Sequence, residues 1–246
     1  GKTSADIDFS SKVEDTLANY SASTYGNLTT VAGKDSDVQL NISDAAYNSE
    51  TNDVTVAATV LSTIGNKTTG AVTVNNAIKI SGTEDEVTAA LVTVATLVVA
   101  TSALVTISDT PAIADLNAIS AKAGVTTATI AAAAAATVDT LTTKSTDVIT
   151  ISINDVNDTS ILATVLSSIG GKTAGVATVS NAIIITGSPT EVVAAIATGA
   201  TKVIAATAKP TISGSPTVAQ VNSIAAVTGV VTATVGDSAS NIAGLT

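Results

Sequence analysis

The chain has 246 residues and a net charge of −10, and its apolar fraction of 46% comes almost entirely from Ala, Val, Ile and Leu, without any His, Cys, Met, Trp or Arg. The missing residue types exclude a Ser-His-Asp triad, a thiolate nucleophile, the usual zinc sites, disulfides and an arginine phosphate clamp. The negative charge predicts that nucleic acid is not a partner, because phosphate binding needs clustered Lys and Arg.

The first 50 residues differ from the rest of the chain. Residues 1–58 contain nine acidic residues and three Lys, and all four aromatic residues lie within the first 47 positions. A stacked repeat protein needs an atypical polar end that stops further stacking. We therefore interpret residues 1–50 as an acidic cap or interaction segment.

An internal duplication is the strongest signal in the sequence. Residues 59–141 align with residues 164–246 without a gap, and 40 of the 83 pairs are identical. Such a fixed offset indicates repeated structural units. We predict one repeat unit over 51–155 and a second, incomplete one over 156–246.

Short strands and short helices alternate within each copy. The β-branched runs VTTATI (125–130), VITISI (148–153) and AIIIT (182–186) predict strands. Apolar residues at helical spacing lie between such runs. The predicted helix starts lie near residues 54, 83, 110, 132, 158, 188, 215 and 237.

Two of these helix starts fit the capping box, in which an N-cap hydroxyl and a glutamate three residues later satisfy each other's backbone N–H groups. The pairs are Thr83 with Glu86 and, in the second copy, Ser188 with Glu191. The duplication therefore retains the capping chemistry together with the apolar helix face.

Proline and glycine mark further helix boundaries. We predict N-caps at Asp109 or Thr110 and at Ser215, because each precedes a proline suited to the first helical turn. A helix C-cap favours a residue that tolerates positive φ. The glycines expected in that role are Gly65, Gly124, Gly170 and Gly229.

The alternation of strands and helices predicts an α/β fold with parallel strands. One strand with one short helix cannot bury its own apolar face, so each unit must stack on the next. We predict an α/β repeat solenoid with short helices. Two tandem α/β domains of about 105 residues are the alternative, and an all-β sandwich is a third interpretation, which the capping boxes disfavour.

One uncharged run, residues 87–108, is long enough to span a bilayer. Its repeat partner, residues 192–213, contains Lys202, Lys209 and Pro210. Equivalent repeats should share an environment. We therefore predict no membrane span.

Two acidic clusters are candidate calcium sites, because calcium binds several carboxylate and carbonyl oxygens at flexible spacing. INDVND (153–158) contributes Asp155 and Asp158, and KDSD (34–37) contributes Asp35 and Asp37. Turn and helix-cap chemistry is the competing interpretation, since Asp and Asn readily bond nearby backbone groups. No other cofactor is expected.

Other candidate sites are weaker. GGKTAG (170–175) resembles part of a P-loop, but a helix precedes it and a strand follows, the reverse of the P-loop order. Possible acid–base carboxylate pairs are Asp109 with Asp115 and Glu84 with Glu86, but of these four only Glu86 has an acidic repeat counterpart. We therefore predict that the chain is not an enzyme.

Threonines at alternate strand positions suggest an ice-binding array. Thr127 with Thr129 and Thr232 with Thr234 form such pairs. Runs such as AIIIT lack the pattern. The strand preference of Thr is the simpler explanation.

The stretches VTISDTPAIADLNAISAKAGVTTATI (105–130) and GTEDEVTAAL (82–91) carry a family resemblance. They resemble the Thr/Ala-rich tandem repeats of giant bacterial cell-surface or secreted proteins, notably those of marine cyanobacteria and RTX-related proteins. The resemblance covers most of 37–246. It implies an exported, structural or adhesive protein without enzymatic activity, and it does not identify any functional residue.

Together these observations predict an extracellular structural protein. The expected role is a self-assembling unit of a surface layer, a filament or a giant surface protein. Its partner would be a second copy, joined head to tail, or neighbouring repeats of a longer chain. An adhesin or ice-binding module is the alternative function.

Overall fold

The computed structural model describes residues 11–50, 55–199 and 203–246. The chain divides into two compact units, Gly1–Ala128 (unit 1) and Thr129–Thr246 (unit 2). The segments predicted from the repeat, 1–50, 51–155 and 156–246, follow sequence similarity rather than compactness and stay predictions. The helix start expected near residue 54 lies outside the described residues.

Unit 1 contains a strand and a long helix, followed by three segments that each carry two strands and then a helix. We call such a strand–strand–helix segment a layer. The bounds in unit 1 are β1 (Val13–Asp15), α1 (Leu17–Ala32), β2 (Leu40–Ile42), β3 (Thr55–Ala57), α2 (Ala58–Gly65), β4 (Val72–Val74), β5 (Lys79–Gly82), α3 (Glu84–Leu91), a 3₁₀ turn (Val94–Thr96), β6 (Val98–Val99), β7 (Leu104–Ile107), α4 (Ile113–Ser120) and β8 (Val125–Thr129).

Unit 2 also contains three layers, preceded by a short helix and followed by another. Its bounds are α5 (Ala135–Val138), β9 (Val148–Ile153), β10 (Ser160–Leu162), α6 (Ala163–Gly170), β11 (Ala177–Val179), β12 (Ile184–Gly187), α7 (Pro189–Val192), a π-helical turn (Val193–Ala197), β13 (Val203–Ile204), β14 (Lys209–Ile212), α8 (Val218–Ala225) and α9 (Ala239–Ile242).

The strands of each unit form parallel pairs in two sets. The orders are β1-β2-β4-β6 and β3-β5-β7-β8 in unit 1, and β9-β11-β13 and β10-β12-β14 in unit 2. The register advances by almost the same number of residues per layer: Val72 pairs with Val98, 26 residues later, and Lys79 with Leu104, 25 residues later. The predicted α/β class with parallel strands and short helices is confirmed.

The core of each unit lies between its strands and helices and is built from aliphatic side chains. In β9 the alternate residues Ile149, Ile151 and Ile153 are buried, as the period-2 pattern of a strand requires. Helix α2 buries Leu61 and Ile64, which are spaced to share one helix face. The small side chains therefore allow thin layers to pack closely.

Both predicted capping boxes are confirmed, at Thr83 with Glu86 and at Ser188 with Glu191. The proline-based N-cap predictions are wrong. Helix α4 has Ala112 as its N-cap, and the N-cap of α8 is Thr217, whose capping box with Gln220 the sequence analysis missed. In both places the proline lies in the turn before the helix rather than in its first turn.

The prediction that glycines cap the helices through positive φ is also wrong. Gly214 is the only glycine with positive φ in the described part of the chain, and it follows a strand. Gly65 instead lies at the close approach between α2 and the next layer. A Cβ on Gly65 would overlap the backbone carbonyl group of Thr96, so glycine is needed there for packing.

Helix α1 was not predicted, because its sequence LANYSASTYGNLTTVA is rich in Ser and Thr and has no continuous apolar stripe. The helix is interrupted at residues 22–25. Ser23, Thr24 and Tyr25 all have positive φ, a conformation that side chains with a Cβ rarely adopt. The helix therefore contains local backbone strain.

We predict that Gly65→Ala destabilises the fold by about 1–3 kcal/mol, because overpacking against the Thr96 backbone outweighs the higher helix propensity of alanine. Gly171→Ala is the matched control, since its Cβ would lie 3.4 Å from the nearest atom and its repeat counterpart is Asn66. Urea unfolding measures both variants. Equal stability of Gly65→Ala and the unsubstituted chain would contradict the close approach.

Candidate functional site

Asp155, one of the predicted calcium ligands, caps a helix. Its Oδ2 accepts a hydrogen bond of 2.7 Å from the backbone N–H of Ala135, the first residue of α5. A helix leaves its first N–H groups without intrahelical partners, and a carboxylate there is favoured by both the hydrogen bond and the helix dipole. The carboxylate thus joins a layer to the helix before it.

Asp158 lies three residues further on with a φ of 64°, and its Oδ1 is 2.7 Å from Lys209 Nζ. Both side chains are largely exposed, so this ion pair contributes little to stability. Asp35 is buried, and its Oδ1 accepts a hydrogen bond from the backbone N–H of Asp37. No group of three or more acidic, His or Cys side chains is placed to hold a metal among the described residues, and calcium binding stays a prediction.

The Asp155 contact recurs in unit 1. Asp44 Oδ2 accepts the N–H of Leu17, the first residue of α1, and Asp109 Oδ1 accepts the N–H of Glu84, the first residue of α3, both at 2.7 Å. Each of the three aspartates lies two residues after a strand. We call this contact the interlayer cap. The signal that sequence reasoning missed is an Asp at that position, next to the helix start of the preceding layer.

The repeat counterpart of Asp109 explains why that carboxylate is not retained in the second copy. Gly187 pairs with Ile212 in parallel register, which places Pro189 beside Gly214. Pro189 is the first residue of α7 and has no N–H to cap. At this pair of repeat positions, Asp109 is therefore present where the helix start has an N–H group, and Gly214 stands where that group is missing.

The P-loop-like GGKTAG stretch forms a turn that holds two layers together. Thr173 Oγ1 donates to the backbone of β9 at Ile149 O (2.8 Å) and accepts from Gly175 N (2.8 Å). The repeat counterpart Thr68 makes the same kind of contacts to Val38 O and Gly70 N. The buried Thr hydroxyl thus has a structural role, in agreement with the turn interpretation.

Asp139 forms an ion pair with Lys172 in unit 2. Its Oδ1 lies 2.6 Å from Lys172 Nζ and 2.7 Å from Ser168 Oγ, and Lys172 also donates to its backbone carbonyl. Burial acts to raise the pKa of Asp139, but the hydrogen bonds from Lys172 and Ser168 outweigh it, and the pKa is lowered. This contact connects α5 to α6.

Two of the candidate catalytic carboxylates bond backbone N–H groups. Asp109 caps α3, and Glu86 Oε2 accepts the N–H of Thr83 within the capping box. A cleft of about 500 Å³ in unit 1 is lined by small and apolar residues such as Gly65, Ala71 and Val99, and no ionisable side chain lines it. The described residues therefore offer no arrangement suited to acid–base chemistry at this cleft.

Residues 230–246, which we call the tail segment, carry a backbone edge that has no partner among the described residues. On one side, Thr232 pairs with β14: its N–H donates to Pro210 O and its carbonyl accepts from Ile212 N. The N–H groups of Val231, Ala233 and Val235 face the other side. Within the described residues these three N–H groups have no acceptor.

Residues 129–141, which we call the middle segment, show what covers such an edge. In unit 2, Ile130 N donates to Thr150 O, and Ala133 pairs with Ile153. The side chains that this packing buries are Ala135, Val138 and Leu141. The repeat counterparts of the last three residues, Ser240, Ala243 and Thr246, are exposed. In the described part of the chain, the tail segment contacts α8 through Asn222, but the positions that the middle segment buries are exposed in the tail.

No described helix is long and apolar enough to cross a membrane. This result agrees with the predicted absence of a span at 87–108, where the structure places α3, a 3₁₀ turn and two short strands. Comparison with protein-family models, with curated proteins and with solved structures gave no match.

We predict that Asp155→Ala lowers the free energy of unfolding of unit 2 by about 1 kcal/mol, because the N–H of Ala135 loses its acceptor. Asp158→Asn is the control. It removes an exposed charge, keeps a residue that tolerates positive φ, and should change stability by less than about 0.5 kcal/mol.

Urea unfolding with and without calcium separates the helix-cap role from a calcium site. A helix cap predicts a loss in Asp155→Ala that calcium does not change. If instead both variants lose a calcium-dependent stabilisation, Asp155 and Asp158 act together as ligands.

Proposed function

We propose that this chain is an extracellular structural protein without enzymatic activity. Its layers form a repeat solenoid that assembles with further copies of itself, head to tail, into a filament, a surface layer or part of a giant surface protein. The resemblance of residues 82–91 and 105–130 to the repeats of bacterial surface proteins supports the location and the structural role.

The regular register supports the solenoid. The in-register partners Ile151 and Ala177, and then Ala177 and Val203, are each 26 residues apart, so every layer repeats the same path. The interlayer cap and the Thr68 and Thr173 turns add side-chain contacts between successive layers at fixed positions. A structure built from nearest-neighbour contacts can be extended by any chain that presents the same contacts.

The single observation that carries the assembly proposal is the open edge of the tail segment. Val231, Ala233 and Val235 present N–H groups that have no acceptor in the described part of the chain, beside half-buried side chains. An unpaired edge of this kind is a template for a strand from another chain.

The direction of the strands favours a head-to-tail contact. Every strand pair in both units is parallel. A second copy placed by translation continues the parallel pairing, whereas a two-fold dimer through the same edge would be antiparallel. A head-to-tail contact that does not close into a ring gives an open polymer.

Surface binding is the second candidate function, because each unit has a row of outward hydroxyl groups. Ser81, Thr106 and Thr127 occupy neighbouring in-register positions in unit 1. Their counterparts Thr186, Thr211 and Thr232 form the same row in unit 2. The duplication therefore retains one hydroxyl per strand, at the spacing between strands, as an adhesive or ice-binding face requires.

We predict that Ala233→Pro weakens self-association at least tenfold. Proline removes the N–H that faces the open edge and leaves the bonds of Thr232 to β14 in place. Sedimentation velocity over a concentration series measures the association, and electron microscopy of the concentrated sample shows whether polymers form.

Thr211→Val is the matched control for assembly and the test variant for surface binding. It keeps the side-chain shape and removes one hydroxyl of the outward row, so assembly should not change while adhesion or ice binding should weaken. A strictly monomeric chain at high concentration, or an Ala233→Pro variant that polymerises normally, would contradict the assembly proposal.

A further inference from the structure

The tail segment repeats a local structure that is also found in unit 1. Residues 11–32, which we call the head segment, contain VEDTLANY (13–20), and the tail contains VGDSASNI (235–242). Both follow the pattern Val-x-Asp-Ser/Thr-x-x-Asn, in which the hydroxyl residue is the helix N-cap.

The hydrogen bonds of the two motifs are the same. In the head, Asp15 Oδ1 accepts from Thr16 N (2.8 Å) and Asn19 Nδ2 (2.6 Å), and Thr16 Oγ1 accepts from Asn19 N (3.4 Å).

In the tail, Asp237 Oδ1 accepts from Ser238 N (2.8 Å) and Asn241 Nδ2 (2.7 Å), and Ser238 Oγ accepts from Asn241 N (3.3 Å). The hydrogen bonds to Asn241 and Ser238 lower the pKa of Asp237.

The head motif lies against the first layer of unit 1. Val13 N donates to Gln39 O, Asp15 pairs with Ile42, and Leu17 N donates to Asp44 Oδ2. The middle segment makes three contacts of the same kind with its own layer in unit 2, through Thr150, Ile153 and Asp155, although Ile130 and Ala133 are three residues apart where Val13 and Asp15 are two apart. The head and middle segments therefore fill equivalent positions.

The tail motif has the matching groups without these partners. Among the described residues, Val235 N and Ala239 N have no acceptor, and Ile242, which corresponds to the buried Tyr20, is 40% exposed. In unit 1, the head contacts the groups that would pair with these tail positions. These groups are Gln39 O, Ile42 and Asp44.

The head fits its layer imperfectly. Helix α1 contains three consecutive residues with positive φ, and no group of residues 11–50, 55–199 or 203–246 bonds the Oδ1 of the buried Asn41 in β2. A cavity of about 80 Å³ lies beneath the head, lined by residues that include Tyr20, Leu28 and Leu40. Unmet hydrogen bonds, voids and backbone strain all lower the cost of removing a segment from its site.

We propose that assembly proceeds by exchange: the tail motif of one copy displaces the head motif of a second copy and pairs with β2 of that copy. In the joined state Val235 N donates to Gln39 O, Asp237 pairs with Ile42, and Asp44 caps the helix that follows Ser238. The occupant of the head site is thus a second copy of this chain. This inference rests on the proposed self-assembly and names the contact that carries it.

A reversible disulfide lock tests the exchange in the full chain. Glu14 and Asn41 are in-register partners whose side chains touch at 2.9 Å (Asn41 Nδ2 to Glu14 Oε2), so Glu14→Cys with Asn41→Cys can bridge the head to β2. The chain has no other cysteine. We expect the oxidised double variant to assemble at least tenfold less than its reduced form.

The matched control places a disulfide bridge between two strands that stay in place during the proposed exchange. Ser152→Cys with Thr178→Cys joins two in-register strands of unit 2. This control should assemble equally when oxidised and reduced. If the oxidised head lock assembles as well as its reduced form, exchange is wrong while self-assembly stands. If the unsubstituted chain does not assemble at all, the proposed function fails and exchange fails with it.

A second measurement does not depend on the double variant folding. Gly236 stands two residues before the Ser238 N-cap, as Glu14 stands two residues before Thr16. Mixing a Gly236→Cys chain with an Asn41→Cys chain should give a mixed disulfide dimer. Linkage of Gly236→Cys to a Glu14→Cys chain, without any linkage to Asn41→Cys, would show stacking on an undisplaced head and overturn the exchange.

Discussion

The parallel backbone pairing between successive layers is the constraint on which the other features depend. Because the register advances by nearly the same number of residues per layer, every side chain meets its counterpart from the neighbouring layer at a fixed position. Small residues are needed where the backbones approach, as at Gly65 beside Thr96. Several polar side chains satisfy backbone groups at fixed positions, as at Asp109, Asp155 and Thr173. The Ala- and Val-rich composition follows from this geometry.

The interlayer cap shows how side-chain chemistry follows the register. Asp44, Asp109 and Asp155 each satisfy the first N–H of the preceding helix, and Pro189 removes both the N–H and the need for a carboxylate at Gly214. A carboxylate in this position favours only one alignment of neighbouring layers. In the proposed exchange, Asp44 of a second copy is the acceptor for the first N–H of the tail helix.

Much of the fold is readable from the sequence because the local signals agree with one another. VITISI (148–153) is a strand over the predicted range, and both capping boxes form as their spacing indicates. Helix α1 was missed because its sequence has no apolar stripe and is held by Tyr20, Leu28 and the Asp44 cap, all of which depend on contacts distant in sequence.

The roles of the candidate site residues were harder to predict from the sequence, because their partners are also distant in sequence. The acidic residues of INDVND (153–158) suggest calcium when read alone, but the partners of Asp155 and Asp158 are Ala135 and Lys209, 20 and 51 residues away. The likeness of the head and tail motifs is visible in the letters VEDTLANY and VGDSASNI. It gains meaning only from the structure, in which Tyr20 of the head is buried and its tail counterpart Ile242 is exposed.

Amide hydrogen exchange at Val235, followed as a function of protein concentration, tests directly whether copies of the chain assemble through the tail edge. If they do, the Val235 amide exchanges fast in the dilute chain and is strongly protected in the assembled state. Thr232, which is bonded to Pro210 within the chain, should be protected throughout. Protection of Val235 in the dilute monomer, or fast exchange at Val235 within a polymer, would contradict a contact made through the tail edge.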